Sequence, residues 1–220
     1  MSELRKSEQD NRAVIESAAF GLFRKVGYRL TSYTMIAEES GVGRPLVQYY
    51  FPKKSEIATN FILRILGSIA ALVDATGKLS QLPQGRLAQL GQVYYAFLLS
   101  SDEMRRLALD LLSSRQVTSR VIEANASYTL PLLNPAANDA SRLVEASVKA
   151  TGGIYELMFR GLERGLALNP TDLALQNTAA FMAFSSETSY GKAANLLEPE
   201  LLDEKIVDGI MPELAKAVFR

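Results

Sequence analysis

The 220-residue sequence contains no cysteine and no histidine. Disulfide scaffolds, zinc sites with sulfur or imidazole ligands, and haem ligation by either residue are therefore excluded. General acid–base chemistry through histidine is excluded as well. An excess of one charge is also missing, because 24 Lys and Arg balance 24 Asp and Glu. Strand-like alternation, internal repeats and low-complexity tracts are absent. So are Gly-x-Ser-x-Gly, Gly-x-Gly-x-x-Gly and phosphate-binding loops. No metal-ligand cluster stands out, so no catalytic residue, metal or cofactor is expected. No apolar run approaches the ~20 residues that span a bilayer, and the N-terminus is polar. The expectation is a cytoplasmic protein without a membrane partner.

Against this background the stretch from Thr31 to Lys54 stands out. It reads as two short amphipathic helices around a glycine turn, a helix-turn-helix of the kind that sets a helix in a DNA major groove. Thr31 and Ser32 are N-cap residues, whose side chains accept from orphan backbone amides. Met35, Ile36 and Ala37 supply an apolar side. Gly41 can take positive φ at the turn, and Pro45 suits a first helical turn. Leu46, Val47 and Tyr50 fall at helical spacing, leaving Arg44, Gln48 and Tyr49 on other faces. Lys53 and Lys54 follow Pro52 at a helix start, where cations oppose the helix dipole. An anion resolves that conflict, because helix N-termini bind phosphate. Residues 1–54 carry nine basic side chains against six acidic ones, an excess of three. This mildly basic head on a mildly acidic remainder suits DNA binding.

The order of these features resembles the TetR family of repressors. A preceding helix holds Ile15, Ala18, Ala19, Leu22 and Phe23, then Gly27. Next come Thr31-Ser32, Ile36-Ala37, Ser40-Gly41-Val42, the aromatic run Tyr49-Tyr50-Phe51, and Lys54. The resemblance covers about the first quarter of the chain, a small helical module. It implies phosphate contacts from Thr31, Ser32, Tyr49 and Lys54, with Lys53 beside them. It implies base-edge or thymine-methyl contacts from Tyr33, Arg44 and Pro45. One departure is Gln48, where the family has tyrosine; glutamine can donate to a phosphate or bond an adenine bidentately.

Beyond Lys54 the pattern stays helical. Segments are expected over about 52–75, 86–100, 101–112, 117–130, 138–168, 171–191 and 198–219, with a break near Glu200 and an interruption at Pro212. Gly152-Gly153 predicts a kink, a break or a close approach, because each glycine costs ~1 kcal/mol relative to alanine in a helix. The fold class is all-α: a helix-turn-helix domain over 1–53 and a larger helical ligand-binding and dimerisation domain over 54–220. Tyr94, Tyr95, Phe97, Tyr128, Tyr155, Met158, Phe159, Phe181, Met182 and Phe184 could line a ligand cavity, although each alone reads as ordinary core. The small residues of 171–190 let helices approach closely. The family resemblance implies that the last two helices form half of an intersubunit bundle, with Leu175, Ala179, Met182, Ile206, Ile210 and Leu214 at the seam. The expected protein is a homodimeric, ligand-responsive regulator, a repressor. It binds double-stranded DNA at a pseudo-palindromic operator and is released by a small, largely apolar effector. The rival reading is an all-helical enzyme or carrier with an incidental helix-turn-helix.

Overall fold

The structure is a computed structural model that describes residues 2–129, 140–185 and 189–219, the side chains of 2–9, 128, 129 and 140 excepted. Eleven α-helices run along the described residues, with no strand among them. The first, α1 (Ser2–Val26), turns Ile15, Ala19, Phe20, Leu22 and Phe23 inward. It is followed by α2 (Tyr33–Ser40), α3 (Arg44–Tyr50) and α4 (Lys54–Ala75). Then come α5 (Pro83–Leu99), α6 (Asp102–Leu112), α7 (Arg115–Thr129) and α8 (Ala140–Glu163). The chain closes with α9 (Pro170–Ser185), α10 (Tyr190–Leu197), a 3-10 turn (Glu198–Glu200) and α11 (Glu204–Phe219).

The central helix is α4. By length and composition alone it could cross a membrane, contrary to the sequence expectation that no run is apolar enough. Its stripe of Ile57, Phe61, Ile65, Ile69 and Val73 is instead fully buried, packed by α1, α5, α7 and α11. Phe61 meets Phe20 and Phe23 of α1 edge-on, with ring centroids 5.0 and 6.5 Å away, and Phe219 of α11 at 5.8 Å. One apolar cluster consequently runs from Ile15 to Val218, continuous across residue 54. The head expected over 1–53 shares its core with the body.

Buried amides tie the body together. Gln89 accepts from the Ser80 amide at 2.9 Å and donates to the carbonyls of Lys78 (3.0 Å) and Glu200 (2.8 Å). Gln92 accepts from the Leu202 amide at 2.9 Å and donates to the Leu202 carbonyl and to Thr171 Oγ1, both at 3.1 Å. Both side chains thus have the partners that burial demands.

Three expectations need correction. First, of the outcomes expected at Gly152 and Gly153 a break does not occur: α8 continues through them, packed on α7 and α9. Second, α11 passes through Pro212, which is exposed, so water can reach the carbonyl that loses its partner. Third, the helix expected over 171–191 is interrupted at Ser189, the extended cap from which α10 starts afresh. Helix α10 packs back on α9. Ala179 is fully buried among Ala88, Ala193 and Leu197, with Leu175 and Met182 packed on the same cluster. Ile210 and Leu214 belong to the main core, and Ile206 packs against it. Within one protomer Ala179, Ile210 and Leu214 are thus buried, while Leu175, Met182 and Ile206 are half-buried. On α8 and α9 the large apolar side chains left exposed include Val144, Val148 and Phe184.

Candidate nucleic-acid interface and internal cavity

The head is built by capping at each turn. Ser32 accepts from the Met35 amide at 3.2 Å and opens α2. Gly41 closes α2 with φ +68, where a Cβ would be strained. Only seven residues long, α3 has Gly43 as N-cap and Pro45 in its first turn. Val47 and Tyr50 are buried, while Arg44, Pro45, Leu46, Gln48 and Tyr49 are exposed, Tyr49 to 73 %. Leu46 thus joins the outer face and not the apolar one. Exposed Ser32 and Lys53 belong to the turns before α2 and α4. Ser32, Arg44, Pro45, Gln48, Tyr49 and Lys53 are the sequence candidates that reach solvent.

The other three candidates are engaged inside. Thr31 is buried, and its hydroxyl donates to the Gly27 carbonyl at 2.7 Å. Tyr33 donates its hydroxyl to the Phe51 carbonyl at 2.8 Å, which fixes α2 to the end of α3. Burial first, and then the nearby Glu56, hold the Tyr33 hydroxyl above its ordinary pKa. Lys54 Nζ donates to the carbonyls of Tyr28 (2.7 Å), Thr31 (2.7 Å) and Arg29 (3.3 Å), 4.6 Å from the centroid of the Tyr28 ring. Burial lowers the Lys54 pKa, with Asp110 opposing the shift. An ammonium has three protons, and here three carbonyls take them. Thr31 and Lys54, both expected at phosphates, bond within the protein to the loop 27–31 that precedes Ser32.

The same loop is held from the body by α6. Arg106 donates to the carbonyls of Arg24 (3.0 Å) and Lys25 (2.8 Å), at the end of α1. Asp110 accepts from the Arg29 amide at 3.1 Å. Gly27 sits beside it at φ +94, where an added Cβ would lie 2.6 Å from Asp110 Oδ2. On the far side of the head, Arg12 donates to the Tyr50 carbonyl at 3.0 Å, its guanidinium 5.0 Å from the Phe51 ring centroid. Arg12, Arg106 and Asp110 escaped sequence reading. Their partners lie 38 to 82 residues away, and no local pattern carries such pairings.

Within the body, a cavity of about 80 Å³ lies among α4, α5, α7, α8 and α9. Tyr94 and Phe181, both expected, line it. A smaller space of about 20 Å³ adjoins Tyr94 and Tyr155 on the side of α6 and α7, against Ala108, Leu111 and Leu112. Between the two, the Tyr94 and Tyr155 hydroxyls are 3.0 Å apart, and Asn125 Nδ2 donates to Tyr155 at 2.9 Å. Burial raises the pKa of Tyr94 and Tyr95, and that of Tyr155 to about 12, so all three are neutral phenols at pH 7. Phe97 is core and meets Phe219 at 6.2 Å; Met158 is core too. Half-buried Phe159 lines neither space, and the Tyr128 side chain lies outside the described residues. Tyr95, also expected, lines the larger cavity, and the lining residues that sequence reading missed are mainly polar or small: Gly91, Asn125, Ser147, Thr151, Asn177 and Thr178. A search for aromatics and methionines does not select them.

No curated protein matches the chain. Residues 15–59, from the middle of α1 into the second turn of α4, match the sequence model of the bacterial regulatory proteins, tetR family. The matched span includes the whole of the exposed α3 face and the Ser32 and Lys53 turns on either side of it. This chain is accordingly a DNA-binding transcriptional regulator carrying the helix-turn-helix module of the TetR family.

Proposed function

We propose that the protein is a ligand-responsive repressor that binds a pseudo-palindromic operator as a homodimer in the cytoplasm. The observation that carries the DNA-contact reading is the α3 face, which presents Arg44, Pro45, Gln48 and Tyr49 to solvent between Ser32 and Lys53. Arg44 and Gln48 read base edges, since Arg pairs with guanine and Gln with adenine in the major groove. Pro45 meets a base-edge methyl. Ser32, Tyr49 and Lys53 bond phosphates and set the register. Lys54 and Tyr33 act behind this face by holding its geometry.

The seam we propose is Val144 and Val148, one turn apart on α8, with Phe184 of α9. Lys149 lies 5.8 Å from the Phe184 ring centroid, so α8 and α9 present these groups on one side. Residues 54–220 act as the ligand-binding and dimerisation part, coupled to the head through the shared core. Helix α6 supports this coupling: Leu111 borders the smaller cavity, while its neighbour Asp110 holds the Arg29 amide. A ligand that enlarges the cavity displaces α6, and with it loop 27–31. It must bind the DNA-competent and the displaced states with different affinity, or it shifts nothing.

The test is a gel shift of the full chain on the DNA flanking its own gene, against random duplex as competitor. Specific retardation is expected, with the complex containing two copies per operator. Retardation by random and flanking DNA at equal concentrations would remove the operator reading.

A further inference from the structure

Twelve residues line the larger cavity, and none carries a charge at neutral pH. An ionised ligand would leave water for a site without a counter-charge, which is strongly unfavourable. The raised pKa values of Tyr94, Tyr95 and Tyr155 remove the phenolate that a cation would need. The cavity is not simply greasy, however. Asn177 Nδ2 donates to the Tyr95 hydroxyl at 2.9 Å, yet Asn177 Oδ1 is buried without a partner. A buried carbonyl oxygen without a partner is destabilising and is satisfied by a donor. Because the Tyr95 oxygen accepts from Asn177, the phenol proton remains to be donated. The pair Asn177–Tyr95 therefore offers one acceptor and one donor side by side. Turning the carboxamide by 180° exchanges their roles and still leaves one of each.

We infer that this site takes an uncharged molecule of about one ring, whose polar end both donates and accepts a hydrogen bond: a hydroxyl or an amide. That end gives its proton to Asn177 and receives one from Tyr95. The apolar remainder lies against Leu66, Leu87, Leu90 and Phe181. The size follows from the volume. The cavity of about 80 Å³ is smaller than the ~150 Å³ space that holds benzene in an engineered apolar cavity. A single ring exceeds even the two spaces together, so it enters only by displacing the Tyr94–Tyr155 pair and the side chains around it. This inference rests on the proposed reading of the body as the effector site, and it adds the chemistry of the effector.

Four probes of one shape separate the possibilities: benzyl alcohol, toluene, benzoate and benzylammonium. Each is titrated calorimetrically into the full-length protein and into Asn177→Leu, with circular dichroism as the folding check. Benzyl alcohol should bind the wild type at least about tenfold more tightly than either ion. In Asn177→Leu the affinity ratio of benzyl alcohol to toluene should fall about fivefold to tenfold, the worth of one net hydrogen bond. If that variant does not fold, Tyr95→Phe removes the other half of the pair, and the same ratio should fall severalfold. Equal binding of an ion, no binding of benzyl alcohol at millimolar concentration, or an unchanged ratio in the folded variant would overturn the assignment. Gel shifts in saturating benzyl alcohol report separately on regulation. Binding with the predicted ratio but no DNA release supports the ligand class and counts against ligand responsiveness alone.

Discussion

Replacing Lys54 by methionine distinguishes a lysine that touches DNA from one that builds the surface touching DNA. The substitution keeps most of the apolar stem over the Tyr28 ring and removes the ammonium. Three carbonyls, of Tyr28, Arg29 and Thr31, lose their donor. A hydrogen bond to a charged group is worth about 1.5–3 kcal/mol when buried. Here the side chain is half exposed, water can replace part of the loss, and one ammonium serves all three acceptors. The net cost is then about 1–2 kcal/mol, well below the sum of three bonds. For a chain of this length that lowers the thermal midpoint by roughly 2–8 °C. Operator affinity should fall because loop 27–31 and the Ser32 cap lose their anchor. The slope of log affinity against log salt should stay nearly constant, since no phosphate contact is lost. Lys53→Ala should do the reverse: its side chain is exposed, so stability holds and the salt slope drops by about one unit. Thermal melts followed by circular dichroism and DNA titrations at several salt concentrations measure both. An unchanged midpoint for Lys54→Met, together with a slope reduced by about one, would refute the reasoning and return Lys54 to the DNA surface.

Arg44→Ala should cost about 1–3 kcal/mol on the operator, relax preference at one position per half-site and affect random DNA less; equal losses on both duplexes would make it a backbone contact. Gly27→Ala forces a side chain to φ +94 and pushes Asp110 off the Arg29 amide. About 2–4 kcal/mol should be lost in urea unfolding, and a loss below about 0.5 kcal/mol would show that the joint is slack. Alkaline titration should show a delayed tyrosine fraction. Tyr94, Tyr95 and Tyr155 are held above the ordinary phenol pKa of 10.0, Tyr155 at about 12. The folded state then binds more protons than the unfolded state above pH 10, so stability is whole below pH 10 and declines as pH rises toward 12. Phenolate absorbance that reached its full value by pH 11 without unfolding would contradict this.

The head was legible in the sequence because its signals are local. Ser32, Gly41 and Pro45 do their work within a few residues of themselves, and the structure uses each as a cap or turn residue. Direction was harder to read. Thr31 and Ser32 are both hydroxyl residues at one helix start, yet one faces the core and the other solvent. That difference depends on the path of loop 27–31, which α6 sets from about 80 residues away. The body showed the same division. Its helices follow from apolar periodicity, but small residues signal close approach without naming the partner. Ala179 found its neighbours on α5 and α10 of its own chain. The interruption at Ser189, from which α10 starts, was hidden in a run of helix-compatible residues. The cavity was sought among aromatics, whereas its distinguishing groups are asparagines, serine and threonines spread over α7, α8 and α9.

The single apolar cluster from Ile15 to Val218 has a consequence for how such a regulator can be rebuilt. Phe61 and Phe219 are walls of the head as much as of the body. Grafting this reader onto another effector body would cut through that shared interior and leave Phe20 and Phe23 facing whatever the new body supplied. If the body takes an effector as proposed, DNA reading and effector response are not interchangeable cassettes in this chain. A chimera would have to carry the inner face of α4 and the end of α11 along with the reading helix.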